Sequence, residues 1–283
     1  MKVLAGIVTY NRLALLKECL ASVRQQTFTD FDILVVNNGS TDGTHEWLEQ
    51  EKALITLHQA NLGGAGGFYA CMKYAVEHNY DYVWLMDDDG LTAPNQLELL
   101  LQGMEKYNLD WANAFVLYKD DHSRIAGNIP VRQFLQKLQA TDIFYWTNPF
   151  NGTLISCKAI REVGYVKKEM FIWGDEVEYE KRFVSKGFTN ATIVAAEHYH
   201  PLFKTNEEWV FPFTKKGPMI DVSHSALRKY KYRNLGYLDR HYGNRKKYRK
   251  YILYYVLRLR FKDASDFARW YNLGWNDDYT TEI

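Results

Sequence analysis

The chain has 283 residues and a formal net charge of +1, long enough for one large domain or a domain with an appendage. Its cysteines, Cys19, Cys71 and Cys157, are scattered and form no Cys-x-x-Cys pair, which argues against a disulfide framework or a cysteine zinc site and favours a reducing compartment. The opening MKVLAGIVTYNR carries too short an apolar run for a secretory leader, and no charge-free apolar stretch approaches the roughly 18 residues of a membrane span.

Val3–Thr9 reads as a buried strand and Leu13–Gln26 as a helix with Leu16, Leu20 and Val23 on one face. Asp32–Val36 is a second strand, followed by the turn-rich NNGSTDGT. A short helix at His45–Glu51 leads to a third strand at Leu54–His58. The glycine loop NLGGAGG then opens a helix over Phe68–Glu77, and a fourth strand, Tyr82–Met86, ends at DDDG. Strands alternating with helices predict a parallel sheet covered on both faces. A polar cluster follows each strand, and ligands of open α/β sheets bind beyond the carboxyl ends of the strands.

Beyond residue 110, strand-like segments occur at Trp111–Tyr118, Ile143–Trp146 and Thr153–Ser156. Asp175–Lys186 reads as a helix and Ala191–Ala195 as a strand. From Ser223 to about Leu259 the pattern is mostly helical, broken near Tyr242-Gly243-Asn244. A soft boundary near residue 220 gives a domain over 1–220 and a helical segment over 221–283.

Asp87, Asp88 and Asp89 repel one another at a strand end unless a cation sits among them. Their oxygens suit a hard ion, Mn²⁺ or Mg²⁺, although a solvated acidic turn would have the same sequence. An ideal strand sends alternate side chains to opposite faces, so Gly90 is expected to mark a turn that brings them together. The glycines of NLGGAGG let backbone amides approach a phosphate or a sugar, or simply open a helix. They match neither a Walker loop nor a dinucleotide fingerprint. Asp175, Glu176 and Glu178 gather at a helix start, where acids either cap the helix or supply a general base. His198 and His200 are spaced to point the same way on a strand, where an imidazole could complete the coordination begun by the aspartates.

Taken together, TYNR, NNGSTDGT, DDD and the later acidic cluster resemble the family 2 inverting glycosyltransferases of the GT-A fold, over roughly residues 3–240. Within that family, NLGGAGGF, MDDD and FIWGDEVEYEKR are most similar to the bacterial galactofuranosyltransferases. The resemblance implies a Rossmann-like nucleotide-binding sheet with helices on both faces and a C-terminal helical segment. It implies metal ligation by Asp87, Asp89 and His200, with His198 as the fallback. It implies a base at Glu176, where relatives carry Asp, or at Asp175. Donor contacts carry over to Thr9, Asn11, Arg12, Asn38, Asn61, Gly63, Gly64, Gly66, Gly67 and Asp88, and through YKYRN to Lys231 and Arg233. Acceptor contacts carry over to Asn151, Gly152 and Trp173. The implied reaction is a single displacement from a nucleotide-sugar donor, best matched by UDP-galactofuranose, to a glycan or lipid-linked glycan acceptor.

The nearest rival is the same fold with another donor, such as dTDP-rhamnose. A nucleotidyltransferase would need a glycine- and basic-rich first loop, which TYNRLALLK lacks. Thirteen Lys/Arg against one acid between Leu227 and Lys262 suit an anionic membrane surface, interleaved as they are with tyrosines. A pure nucleic-acid binder would leave DDD, GGAGG and GDEVE unexplained. The expected location is cytoplasmic, peripheral to the inner face of the plasma membrane, with a homo-oligomer equally compatible.

Overall fold

The computed structural model describes residues 1–126, 129–145, 149–202, 207–211, 218–221, 226–281 and 283. Its first half alternates β1 (Val3–Thr9), α1 (Leu13–Val23), β2 (Phe31–Asn37), α2 (Thr44–Leu48), β3 (Ile55–His58), α3 (Gly63–Glu77) and β4 (Tyr82–Asp87). β1 is buried along its whole length, as a strand with neighbours on both sides and helices on both faces must be. Leu4 and Val8 enter one core with α3, while Val3, Ala5 and Ile7 enter another with α1, the period-two division expected of a strand.

The chain continues through β5 (Leu91–Thr92), α4 (Gln96–Lys106), β6 (Trp111–Tyr118), β7 (Asp121–Ile125), α5 (Val131–Leu138), β8 (Ile143–Phe144), β9 (Asn151–Ser156), α6 (Cys157–Val163), α7 (Asp175–Ser185) and β10 (Asn190–His200). Among the described residues one sheet has the order β3-β2-β1-β4-β9-β6-β10-β5, with β7 on β6 and β8 on β10. Strands β1 to β4 are parallel, as expected. Beyond residue 110, where the alternation stops, β9 runs antiparallel between β4 and β6. It enters from the carboxyl edge, where Phe150 (φ 65) and Gly152 (φ 73) turn the chain through left-handed backbone. Strand order reverses at β1, so the crevice at the ends of β1 and β4 is the topological switch point.

Close contacts divide the chain into two units, Met1–Lys168 with Tyr179–Phe203, and Glu169–Glu178 with Lys204–Ile283. This division differs from the compositional boundary near residue 220, because the FIWGDEVE segment groups by contact with the C-terminal helices. Of the segments expected from sequence, Trp146 and Ser223 lie outside the described residues.

The second unit holds β11 (Glu207–Trp209), β12 (Met219–Asp221), α8 (Arg228–Tyr242), α9 (Lys246–Leu257) and α10 (Phe261–Trp275). A Cβ on Gly236 would collide with the Tyr271 carbonyl, and one on Gly274 with the Arg233 carbonyl, so α8 and α10 meet backbone to backbone. Around them Tyr232, Tyr255, Phe267 and Tyr271 are buried, with Tyr248, Tyr251 and Tyr254 partly buried against the cluster. The α9 tyrosines that suited a water–lipid boundary thus turn their rings toward this unit's core. Leu253, Val256, Leu257, Leu259 and Phe261 are the exposed apolar side chains instead.

Candidate active site

β4 ends at Asp87, and Asp88–Asp89 form the turn that follows. Thr9 Oγ1, at the end of β1, donates to Asp88 Oδ2 at 2.7 Å. Arg12 Nη1 reaches Asp88 Oδ1 at 3.3 Å and Asp89 Oδ2 at 2.8 Å. From the end of β10, His200 Nε2 lies 3.3 Å from Asp89 Oδ1. Three segments more than 70 residues apart in sequence thus meet at the switch point.

The charges are unequal. Burial, then the charges of Asp89 and Asp88, push the Asp87 carboxyl up to about 8. Burial also raises Asp88, to about 6, against the pull of Thr9 and Arg12. Asp89 is likewise penalised by burial, yet His200 and Arg12 outweigh that and hold it below the usual carboxylate range. His200 is raised, because the carboxylates and the Pro201 carbonyl overcome its burial. Asp89 Oδ1 is buried without completing a hydrogen bond. Mutually repelling carboxylates, a poorly satisfied oxygen and an adjacent imidazole fit a hard divalent cation at Asp89 and His200, with the Asp87 carboxyl near enough to feel both charges.

His198 has a different role. It is fully buried, its ring lies where a Cβ on Gly90 would stand, and burial holds its pKa down at about 3. Gly152 also clears space for it, since a Cβ there would come within 2.9 Å of His198 Nδ1. His198 and Gly152 therefore wedge the sheet behind the turn. Asn151 lies opposite Met86 in β9, its Oδ1 buried and without a hydrogen-bond partner.

The loops that follow β1, β2 and β3 are tied to one another. Asn11, in left-handed backbone, donates its N–H to Ser40 Oγ and accepts from the Thr41 N–H. Asn61 Oδ1 accepts from the Gly63 N–H. Asn38 is 2 % exposed; its amide donates to the Gly63 carbonyl and accepts from Gln59. Asn38, expected among the donor contacts, has its amide engaged in bracing the glycine loop. Thr9 is also almost fully buried, and with Asp88 it braces the crevice from beneath. Gly66 and Gly67 are explained by packing, for a Cβ on Gly66 would strike Leu62 and one on Gly67 would strike Val8. Gly64 has space around it at the start of α3, while Gly63 is buried with its N–H bonded to Asn61 and its carbonyl to Asn38.

The second unit carries the other expected residues. Asn234 Nδ2, on α8, donates to the carbonyls of Met170 at 2.9 Å, Ile172 at 3.0 Å and Trp173 at 2.7 Å. That clamp holds Phe171 (φ 66) and Trp173 (φ 61) in left-handed backbone, a strained arrangement for aromatic residues. It leaves the Trp173 ring exposed and starts α7 at Asp175. Asp175 is 5 % exposed, whereas Glu176 is only half-buried and accepts from the Gly174 N–H at 2.8 Å. Glu176 and Trp173 line a cavity of about 260 Å³ with Lys231, Glu207, Asp221 and Tyr251. Lys231 Nζ is 2.9 Å from Asp221 and 3.9 Å from Glu207. Arg233 is buried, donates to the Glu169 carbonyl and stacks on Tyr279. Lys231 and Arg233 of YKYRN, expected among the donor contacts, thus each have partners inside their own unit. The residue that matters most in that motif is Asn234, which a search for cations passes over.

Residues 5–164 match the family described as glycosyl transferase family 2. The chain belongs to that family. This glycosyltransferase is 32 % identical over 214 residues, 70 % of each chain, to the galactofuranosyltransferase GlfT1 of Mycobacterium tuberculosis. It is 29 % identical over 260 residues to GlfT1 of Mycolicibacterium smegmatis, covering 86 % of this chain and 85 % of that one. Among solved structures it resembles S. aureus TarS 1-349 with a TM-score of 0.60 at 13 % identity, covering 99 % of this chain and 93 % of the other. It also resembles the mannosyltransferase PcManGT from Pyrobaculum calidifontis, solved with GDP-Man and Mn²⁺, with a TM-score of 0.54 at 15 % identity, covering 99 % and 76 %. The fold is GT-A, with helices on both faces of the sheet and a C-terminal helical segment.

Proposed function

We propose that this glycosyltransferase is an inverting, metal-dependent galactofuranosyltransferase using UDP-galactofuranose and a glycan acceptor, carried on a lipid. The identity to GlfT1 over 70 % of both chains carries the donor assignment. The contact of Asp89 with His200, and the raised carboxyl of Asp87 beside them, support a metal requirement with Asp87, Asp89 and His200 as ligands. Bound there, Mn²⁺ or Mg²⁺ would supply positive charge to the departing nucleotide diphosphate. Arg12, half-exposed beside Asp88 and Asp89, adds a cation on the donor side. Asn11, Asn61, Gly63 and Gly64 border the donor, with Asn151 on the acceptor side.

Glu176 is the base, because it is the acid of its pair that faces open space, while Asp175 is buried behind it. It takes the proton of an acceptor hydroxyl as the oxygen attacks the anomeric carbon. The bond to the diphosphate oxygen breaks on the opposite face, so the configuration inverts and no glycosyl-enzyme forms. Among the described residues no helix is long and apolar enough to cross a membrane. The basic C-terminal helices support peripheral attachment to an anionic leaflet, where a lipid-linked acceptor is found.

A donor panel tests the proposal. Purified protein with Mn²⁺ is offered UDP-galactofuranose, UDP-galactopyranose, dTDP-rhamnose and GDP-mannose, and release of nucleotide diphosphate is measured. Preferential turnover of UDP-galactofuranose is expected. Turnover of another donor with none of this one would refute the donor assignment and leave the family assignment intact.

A further inference from the structure

We infer that the β3 edge of the first unit's sheet binds a divalent ion of the Zn²⁺ class, ligated by His45 and His58 through Nδ1, with Glu49 orienting His58 from behind. The site stands apart from the donor assignment and from the reaction, and neither depends on the other.

The fold brings these residues together from two elements. The Glu49 N–H bonds to the His45 carbonyl at 3.1 Å, so the helical turn of α2 carries on to Glu49 and puts both side chains on one face. β3 ends at His58, in register with Asn37 of β2. The ligand atoms of His45, Glu49 and His58 lie within 4.8 Å of one another. His45 Nδ1 is 3.0 Å from His58 Nδ1, and His58 Nε2, on the other side of its ring, is 3.1 Å from Glu49 Oε1. Hydrogen bonds settle which nitrogen of His58 is open. The Glu49 carboxylate only accepts, so Nε2 carries the proton. Asn37 Oδ1 accepts from the Ser40 N–H at 2.9 Å, which turns the Asn37 amide N–H toward His58 Nδ1 at 3.2 Å. His58 Nδ1 therefore presents a lone pair to His45, the form that a metal ion needs.

The spacing and the donor set name the ion. Two nitrogens bound at about 2.0–2.1 Å to one tetrahedral ion stand roughly 3.3 Å apart, so this pair has to open only slightly. The ring centroids are 4.2 Å apart, and His45 is exposed, free to turn outward and aim its Nδ1 at the ion with its proton on Nε2. Imidazole suits Zn²⁺ and its neighbours in the first transition row, whereas carboxylate oxygens suit Mg²⁺ and Mn²⁺. A carboxylate on the far nitrogen of a ligating imidazole fixes the ring and makes it a stronger donor, which is the place Glu49 holds. The ion takes the place of the Asn37 N–H at Nδ1, and water fills the rest of its shell, so the affinity is micromolar rather than nanomolar. An ion here ties α2 to the end of β3 and brackets the loop whose Ser40 and Thr41 bond to Asn11.

The test reads binding without turnover. The full chain, in excess Mg²⁺, is dialysed against Zn²⁺ and its metal content measured, with histidine ring nitrogens followed by NMR. Wild-type protein is expected to bind an additional Zn²⁺ that H45A does not, and the His45 and His58 Nδ1 resonances should shift with Zn²⁺ but not with Mg²⁺. Any Zn²⁺ taken up at Asp89 and His200 remains in H45A and cancels in the comparison. Zn²⁺ should also raise the melting temperature of wild type by more than that of H45A. E49A should weaken the additional ion by about tenfold or more. H78A, which removes another exposed histidine, should leave it unchanged. H58Q serves as the second variant if H45A does not fold. Equal Zn²⁺ content and affinity in wild type, H45A and H58Q, loss of the same ion in H78A, or its displacement by Mg²⁺ would each overturn the site. Unchanged affinity in E49A would overturn the role given to Glu49.

Discussion

Asp87 shows how burial and neighbouring charge set a carboxyl apart from one in a solvated acidic turn. Its carboxyl ordinarily titrates near 3.8 and is raised to about 8 in the fold. The folded chain thus binds this proton more tightly than the unfolded chain, and stability must fall as pH rises between those values. His200 is also raised, so its contribution is present in acid and lost as pH rises through its folded value, which is the same direction. Asp89 is lowered and works oppositely, losing its contribution only in strong acid. The melting temperature of chelator-treated protein should therefore drop from about pH 5 to about pH 8, and Mn²⁺ should recover most of the loss by binding the folded state. D87N should flatten the dependence. A metal-free melting curve that is level over this range would refute the account. For Glu176 the expected outcome is kinetic. E176Q should lower kcat by about 10²–10⁴ while donor affinity holds, because a base acts mainly in the transition state. D175N, altering a buried acid, should act more through stability than through kcat. Near-normal kcat in E176Q would place the base elsewhere.

α3 illustrates how an element can be found in sequence with the reason for its residues misread. A helix was expected from Phe68, but it begins at Gly63 and includes every glycine of the run. Glycine disfavours a helix by about 1 kcal/mol relative to alanine, so propensity alone delays the start. Gly67 is tolerated because α3 crosses β1 at Val8 with no room for a Cβ, whereas the nearest atom to a Cβ on Gly64 is the Phe68 ring at 4.0 Å. G67A should accordingly destabilise by about 1–3 kcal/mol through overpacking, less what helix propensity returns. G64A should stabilise by up to about 1 kcal/mol. Urea unfolding of both variants checks the contrast, and equal shifts would refute it. The same distinction governs what else was legible. The strands β1 to β4 and their polar ends announce themselves because each is a short apolar run closed by a turn. The reversal at β9 depends on left-handed backbone at Phe150, a residue that gives no such signal. His198 and His200 share a strand face, so period two cannot separate them; the packing of His198 beneath Gly90 does. Asn234 acts on carbonyls more than 60 residues away, a contact no local pattern encodes.

The basic C-terminal stretch gives the whole molecule an uneven charge, and the structure changes which of its residues can use it. Arg258 pairs with Glu208, Arg260 with Asp263 and Lys247 with Asp239, so these cations are partly neutralised. Lys246, Arg249, Lys250 and Lys262 are exposed and have no ion-pair partner among the described residues. At about 1 kcal/mol each near anionic lipid, they suffice for weak, reversible docking only if apolar contact adds to it. Leu253, Val256, Leu257, Leu259 and Phe261 are placed to add it, with Leu259 76 % exposed. Leu259 is also in left-handed backbone (φ 55) just after α9, where the Arg260 N–H bonds back to the Tyr255 carbonyl. Glycine is the residue usually found in such a helix-ending turn. A leucine there costs stability and leaves an apolar side chain outside the core, a cost that membrane contact would explain. L259G separates docking from folding, because relief of backbone strain should preserve or raise its melting temperature. Wild-type protein should co-sediment with phosphatidylglycerol-rich vesicles at low salt and release as salt screens the cations. L259G should bind the same vesicles more weakly at every salt concentration, and a K246E/R249E/K250E variant should lose mainly the salt-sensitive part. If wild-type protein ignores anionic vesicles at low salt, or if L259G binds them as well as wild type, this face does not dock on a membrane.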